Sequence, residues 1–432
     1  MFWEDFIAFF SFENRATNVV ILGTIFLGIS SALVGCFTFL QRRSLIGDSI
    51  AHSLLPGIGI GFLISGEKNI PMLLLCSTLT GLASVYFIDF LQKRTKLKSD
   101  TLIALTLSMF FGFGLLILSY IQSSGNAAQS GLDHFLFGKA AAILEQDLYA
   151  YGSVSLVVII LVIVFFKAFM MVSFNPAFGE ALGLPVKLYR FLLTTLTVIV
   201  ISTGIQIVGV VLMAAMLLTS AGAARYWTTQ LKTLIFLAAV FGSLAGLIGA
   251  FISYTLPQMP TGPWIVVVLS IFLVISMLFA PRKGVIATQM KRRRWNLQLM
   301  KENVLKRLYH KGELDDDYKK PIDFKVISED SRIPPLKLKR VLYSLTSSGF
   351  LIKNNSTWML TTSGKNEGMR LARIHRLWEM YLTSHLNIAA DHVHEDAESI
   401  EHLITPEIER ELEKMLDNPE IDPHGKPIPY PD

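Results

Sequence analysis

An aspartate and a histidine stand four residues apart, at Asp48 and His52, in the stretch QRRSLIGDSIAHSLLPG that covers residues 41–57. On a helix this spacing puts both on one face, about 5–6 Å apart at Cβ. Carboxylate oxygen beside imidazole nitrogen suits borderline divalent ions such as Mn(II), Fe(II) and Zn(II). Two ligands cannot close a structural site, but they suit a site that must let its ion go. The same spacing also fits a helix N-cap at Asp48 followed by an interfacial His52. A second group lies far downstream. His375 and Glu379 are again i and i+4, and His394, Glu398, Glu401 and His402 crowd the stretch DHVHEDAESIEHLI. Glu398 and His402 share a helix face, with Glu401 beside them. Converging His, Glu, Glu and His would make an oxygen-and-nitrogen site of octahedral leaning. Acidic helices with histidines are also commonly just solvated.

The elements that must position the first pair are oily. The chain has 432 residues, 52% of them hydrophobic, and a mean hydropathy of +0.48. The apolar excess fills residues 17–281, and the last third is rich in charge. This predicts an all-α polytopic membrane domain over 1–281 and a cytosolic part after it. A span needs about 20 apolar residues. Candidates lie at 17–40, 48–65, 70–92, 101–121, 150–172, 191–206, 207–224, 232–255 and 263–281. The sixth and seventh are short and could be one helix broken around Ser202, Thr203, Gly204 and Gln206, so the count is eight or nine. A carboxylate within such a span is costly and marks either an ion pathway or an internal pair.

Basic residues set the orientation. Arg42 and Arg43 follow the first span, Lys93, Arg94, Lys96 and Lys98 the third, and Arg282, Lys283 and Lys291 to Arg294 the last. With an odd number of spans, the positive-inside rule places the multi-pass chain in the cell membrane with its N-terminus outside and its C-terminal part cytoplasmic. The net charge of +5 agrees with basic cytoplasmic loops. Between 191 and 255 there is no carboxylate, and small residues recur, as in GSLAGLIGA at 242–250, where helices can approach closely. The two cysteines, Cys36 and Cys76, lie in apolar runs without a CxxC, which disfavours a disulfide framework or a thiolate zinc site. The opening MFWEDFIAFFSFENR lacks the basic start and small-residue site of a cleaved signal. No GxxxxGK[ST] occurs, so ATP hydrolysis is not expected of this chain, and no HExxH suggests a protease.

After a basic linker at 282–296, LQLMKENVLKRLYHKG is helical by period, and FKVISEDSRIPPLKLKRVLYSLTSSGF reads as helix, turn, helix. Leu338, Val341, Leu342 and Leu345 make one apolar stripe, with Lys337, Lys339 and Arg340 off it. With the hairpin FLIKNNSTWMLT behind it, residues 297–362 read as a winged helix-turn-helix whose basic helix suits a DNA major groove. The same face would serve a protein contact equally well. Residues 363–432 make a further small helical domain.

RRSLIGDSIAHSLLPGIGIGFLI resembles the first signature of the manganese, zinc and iron permease family of ABC importers. FNPAFGEALGLPVKLYR at 174–190 and GIQIVGVVLMAAMLLTSAGAAR at 204–225 are similar to its later signature. The resemblance implies a type II ABC importer fold and a transporter subunit rather than an enzyme. It also implies three partners: a separate ATPase subunit, a second permease chain (same or paralogous) and an extracytoplasmic metal-binding protein. In that family the aspartate and histidine of GDxxxH bind the cargo, here Asp48 and His52. The loop at Glu180, Ala181 and Gly183 would dock on the ATPase. Residues 297–429 resemble the diphtheria-toxin-repressor-like metalloregulators, on VHEDAESIEHLITPEIERELEKML and NPEIDPHGKPIP. That resemblance implies a metal-binding and dimerisation domain with ligands at His375, Glu398, Glu401 and His402. Glu398 stands where iron-type members carry cysteine, which points to the manganese-type branch. Glu302 matches one further ligand, while Leu299 occupies the place of another. Mn(II), Fe(II) or Zn(II) would then be both cargo and effector, and DNA a partner of the C-terminal part. The alternative for the whole chain is a membrane-bound metal sensor that does not transport.

Overall fold

The computed structural model describes residues 2–11, 13–41, 45–123, 138, 145–256, 259–331, 333–386 and 404–430. They form two compact units, Met1–Thr288 and Gln289–Asp432.

The described residues of the first unit form helices and no strand. A short α1 (Phe2–Phe10) is followed by α2 (Arg15–Leu40), α3 (Ile46–Ser53), α4 (Leu55–Ser65), α5 (Ile70–Arg94) and α6 (Ser99–Ser123). Then come α7 (Glu145–Val164), α8 (Phe166–Phe174), α9 (Pro176–Ala181), α10 (Val186–Val208), α11 (Val210–Trp227), α12 (Leu231–Thr255) and α13 (Thr261–Phe279). Among the described residues seven stretches are long and apolar enough to cross a membrane, or eight when the bent pair α7–α8 is taken as one. The 18-residue α11 packs among them against α2, α12 and α13.

Two expectations about the spans are corrected. The fifth is not one straight helix, because α7 and α8 meet at 74°. No proline or glycine sits at this bend. Phe165 leaves helical geometry there and packs on Phe169 and Tyr189. The expected break around Ser202 to Gln206 is absent: α10 runs through it intact and ends at Val208. The turn falls at Gly209, whose φ of 94° and ψ of 158° only glycine adopts without strain. Ser202 instead bonds Ser77 of α5 at 2.5 Å, and Gln206 accepts from Tyr151 of α7, so these polar groups join helices.

The long α2 is the axis of the unit, and α12 lies closest to it. A Cβ on Gly28 would come within 2.6 Å of the Gly242 carbonyl, and one on Gly246 within 2.8 Å of the Thr24 oxygen. These glycines therefore let backbones touch, as small residues do where lipid leaves no hydrophobic force between helices. On the outer side Phe6, Phe9 and Phe10 of α1 pack edge and face on Phe251 of α12.

In the second unit α14 (Val285–Asp315) leads to β1 (Ile322–Asp323), α15 (Phe324–Ser331), α16 (Pro335–Ser347), β2 (Leu351–Asn354), β3 (Thr357–Leu360), α17 (Thr362–Leu386) and α18 (Pro406–Met415). The segment expected as a linker is thus largely helical, since α14 starts at Val285. The three strands pair antiparallel in the order β1-β3-β2. Leu338, Val341, Leu342 and Leu345 of α16 are at most 1% exposed and share a core with Val304, Leu308, Trp358 and Leu371. Gly349, at a φ of 79°, ends α16 as its position implied.

Gly242→Val should lower the thermal stability of the full chain in detergent by about 1–3 kcal/mol or more through forced separation of α2 and α12. Gly112→Val, where an added Cβ meets nothing within 4 Å, should leave it unchanged. Melting followed by size-exclusion fluorescence checks both.

Candidate metal centres

The second span is interrupted at its centre. Pro56 has no N–H to give the carbonyl of His52 four residues earlier, so α3 cannot continue as a regular helix. Leu54 closes it by turning its N–H to the Ala51 oxygen at 3.3 Å, and α4 begins with Pro56 in its first turn. Asp48 and His52 therefore sit on a half-helix of eight residues. Leu45, not Asp48, precedes the helix, and Asp48 makes no cap bond, so the capping alternative fails. Neighbouring helices clamp α3. Gly47 faces Leu217 and Ala214 of α11 with room for a Cβ at ordinary contact distance, and the Ser49 hydroxyl donates to the Ile103 oxygen of α6 at 3.4 Å.

The two side chains meet as the spacing implied. His52 Nε2 lies 3.5 Å from Asp48 Oδ1, with side-chain exposures of 15% and 40%. The imidazole stands edge-on to Phe111 at 4.8 Å, which fixes its plane, and its buried Nδ1 has no hydrogen-bond partner among the described residues. Two ligands each about 2.1 Å from one ion, at roughly 90–110°, stand about 3.0–3.4 Å apart. The observed separation needs only a small adjustment to hold an ion between the two. No group of three or more His, Cys, Asp or Glu side chains converges among the described residues, so within them Asp48 and His52 stand as two donors only. The opposite side of α3 is different: Ile46 and Ile50 line a 170 Å³ cavity with Gln41, Asp89, Ser173 and Arg190. The pair faces away from it.

Beyond that cavity, α9 is a six-residue helix capped by Asn175, whose side chain accepts from the Phe178 N–H at 3.1 Å. Gly183 takes a φ of 78°, and the Leu184 N–H reaches back to the Gly179 carbonyl at 3.0 Å. Glu180, Ala181 and Gly183 are all exposed, flanked by the exposed apolar side chains of Phe178 and Leu182.

In the second unit, Lys337, Lys339 and Arg340 are exposed on α16, opposite its buried stripe. His375 is buried on α17, with Nε2 3.2 Å from Oε1 of the equally buried Glu379. His424 Nε2 approaches the same oxygen at 3.8 Å. Glu398, Glu401 and His402 lie outside the described residues. Glu302, on α14, accepts from Gln298 at 2.6 Å, and among the described residues it is not gathered with His375 into a larger ligand group. The i,i+4 spacing already places Glu379 beside His375, although it is not among the ligands that the resemblance implies.

The buried centre of this unit had no signal in the sequence. Arg376, 2% exposed, grips Glu313 with two bonds of 3.0 and 2.6 Å, donates to the Pro427 carbonyl and lies 3.8 Å from Asp422. It thereby ties α14, α17 and the C-terminal segment together. Burial works to raise the Glu313 carboxyl, but its bonds and charge pairing with Arg376 outweigh this and hold it below its ordinary 4.5. Burial pushes the neighbouring His310 below its usual 6.5, against the pull of Glu313.

The comparison with known proteins matches this arrangement over most of its length. Residues 14–280 fit the family model described as the ABC 3 transport family. The chain belongs to that family. Residues 361–430 fit a second model, the metal binding and dimerisation domain of iron dependent repressors. The manganese transport system membrane protein MntC of Bacillus subtilis is 36% identical over 378 residues, 87% of this chain and 86% of that one. The zinc transport system membrane protein TroC of Treponema pallidum is 40% identical over 286 residues, 66% of this chain and 96% of the relative. Among solved structures, PsaBC from Streptococcus pneumoniae in complex with Fab superposes with a TM-score of 0.57 at 32% identity, covering 63% of this chain and 94% of that one. Within this ABC 3 permease the Asp48–His52 half-helix is thus part of the shared transport unit, and the Arg376 network belongs to the appended one.

Because Glu313 titrates below its unfolded value, its contribution to stability is complete above about pH 4.5 and is lost as pH falls further. Amide protection in α14 and α17 of the full permease, measured by hydrogen exchange and corrected for intrinsic rate, should therefore drop on acidification. Glu313→Gln should lower protection at pH 7 and flatten the acid response; a variant with an unchanged acid response would assign it to other carboxylates.

Proposed function

We propose that this ABC 3 permease moves a divalent transition metal inward across the cell membrane, with Asp48 and His52 as a transient berth for the ion. The observation that carries this is the pair itself: one oxygen and one nitrogen donor 3.5 Å apart, half-exposed on an interrupted span. Relatives bearing manganese and zinc names support Mn(II) or Zn(II) as cargo, and the same donors admit Fe(II). The remaining ligands come from a second permease chain, which brings its own pair to the same conduit. With α11 crossing as well and α7–α8 as one span, the number of crossings is odd. The basic loops then keep the N-terminus outside and the second unit in the cytoplasm.

Energy comes from a separate ATPase subunit that receives α9. Its exposed Phe178 and Leu182 offer an apolar contact and Glu180 a charge to set register. An extracytoplasmic binding protein delivers the ion. The second unit is a winged helix with a metal-sensing helical domain. Glu398, Glu401 and His402 complete a site with His375, Glu302 is a further ligand, and Lys337, Lys339 and Arg340 of α16 contact DNA phosphates and bases.

Asp48→Ala should abolish radiolabelled Mn(II) uptake by cells while the chain still reaches the membrane; His52→Ala should act the same way. Full uptake with a lost transcriptional response would instead establish a sensor that does not transport. For the second unit, the full chain in nanodiscs should bind operator DNA only with Mn(II) present. Each loss among Lys337, Lys339 and Arg340 should reduce the salt slope of binding by about 1. If the metal slows uptake and no DNA is bound, the unit is a brake on the permease.

A further inference from the structure

From Ala181 to Lys301 the chain contains no aspartate or glutamate, yet it carries Lys187, Arg190, Arg225, Lys232, Arg282 and Lys283. Two of these cations stand at one place. Arg225, in the last turn of α11, and Lys283, in the turn after α13, line the mouth of a 540 Å³ groove within the first unit. The rest of its wall is almost wholly apolar, with Phe39 of α2, Leu218 and Gly222 of α11 and Leu273 of α13. Neither cation has a hydrogen bond or ion pair among the described residues, although Arg225 is half-buried. Beside them Trp227 donates its indole N–H to Ser276 at 2.8 Å. Tryptophan is a residue enriched at the level of the lipid headgroups.

We propose that this groove holds an anionic phospholipid, with an acyl chain along Phe39, Leu218 and Leu273 and its phosphate on Arg225 and Lys283. The volume lies in the range of built ligand sites, and basic pockets between membrane helices take acidic headgroups. Two unpaired cations at the end of an oily groove call for an anion with a tail. No carboxylate of the surrounding 121-residue stretch, Ala181 to Lys301, can supply that charge. The cytoplasmic leaflet as the lipid's side follows from the orientation proposed above; the site itself does not depend on the transport reading.

Native mass spectrometry of the delipidated full-length chain, titrated with phosphatidylglycerol or phosphatidylcholine of the same acyl chains, tests this. The wild type should bind phosphatidylglycerol more tightly. Arg225→Ala with Lys283→Ala should weaken that binding by about 30-fold and leave phosphatidylcholine unchanged. Arg225→Lys should retain it. Gly222→Leu keeps both charges but fills the groove, and an added Cβ there meets only Leu273, at an ordinary 3.8 Å. It should weaken phosphatidylglycerol as well. Equal affinity for the two lipids, or full phosphatidylglycerol binding in both the double variant and Gly222→Leu, overturns the proposal. So does inorganic phosphate that displaces the lipid at millimolar concentration, which would make this a free-anion site. Metal uptake plays no part in these readouts, so failure here leaves the transport reading standing.

Discussion

A carboxylate among membrane helices must find a counter-charge or be put to use, because hydrocarbon does not solvate it. Asp48 has His52 beside it and no other charged partner among the described residues, at a separation too long for a strong hydrogen bond. Much else in the first unit serves to keep that pair where it is. Pro56 interrupts the span just beyond it. Phe111 stands edge-on to the imidazole, and Ser49 ties the half-helix to α6. An uninterrupted span would satisfy the His52 carbonyl within its own helix and carry the pair on a longer, stiffer rod.

The two units solve the problem of charge in opposite ways. In the second, the buried arginines are paired with carboxylates, Arg376 with Glu313 and Asp422 and Arg373 with Glu409 and Glu413, and His375 lies beside Glu379. Such networks contribute little net stability but cost much when one partner is removed, which favours a single arrangement of α14, α17 and the C-terminal segment. In the first, charge is confined to a few positions, and the fold is held by close backbone contact at Gly28, Gly242 and Gly246 and by hydroxyl bridges such as Ser77 to Ser202.

These differences explain what could be read in advance. The Asp48–His52 spacing and the stripe of α16 are local patterns, and each stands in the structure where its period put it. The misread break near Ser202 is instructive. Polar residues and a glycine suggested a weak helix, but in lipid such groups are bonded to neighbouring helices, and the helix persists. The turn came at Gly209 instead, where Gly138 and Gly262 let other segments press on the Val208 carbonyl. The 74° bend at Phe165 carries no local signal, because it follows from packing on Phe169 and Tyr189.

By itself the sequence determined the class of the protein: an apolar bundle with one carboxylate–imidazole pair, followed by a charged unit with a basic helix. Hydropathy and helical period are properties of neighbouring residues, so they survive without coordinates. Only the tertiary structure decided which faces meet. It set Glu379 and His424 around His375, buried Arg376 against Glu313 sixty-three residues away, and brought Arg225 and Lys283 to the mouth of one groove. Those pairings join residues far apart in the chain, and the physics that selects them acts only once the chain has folded.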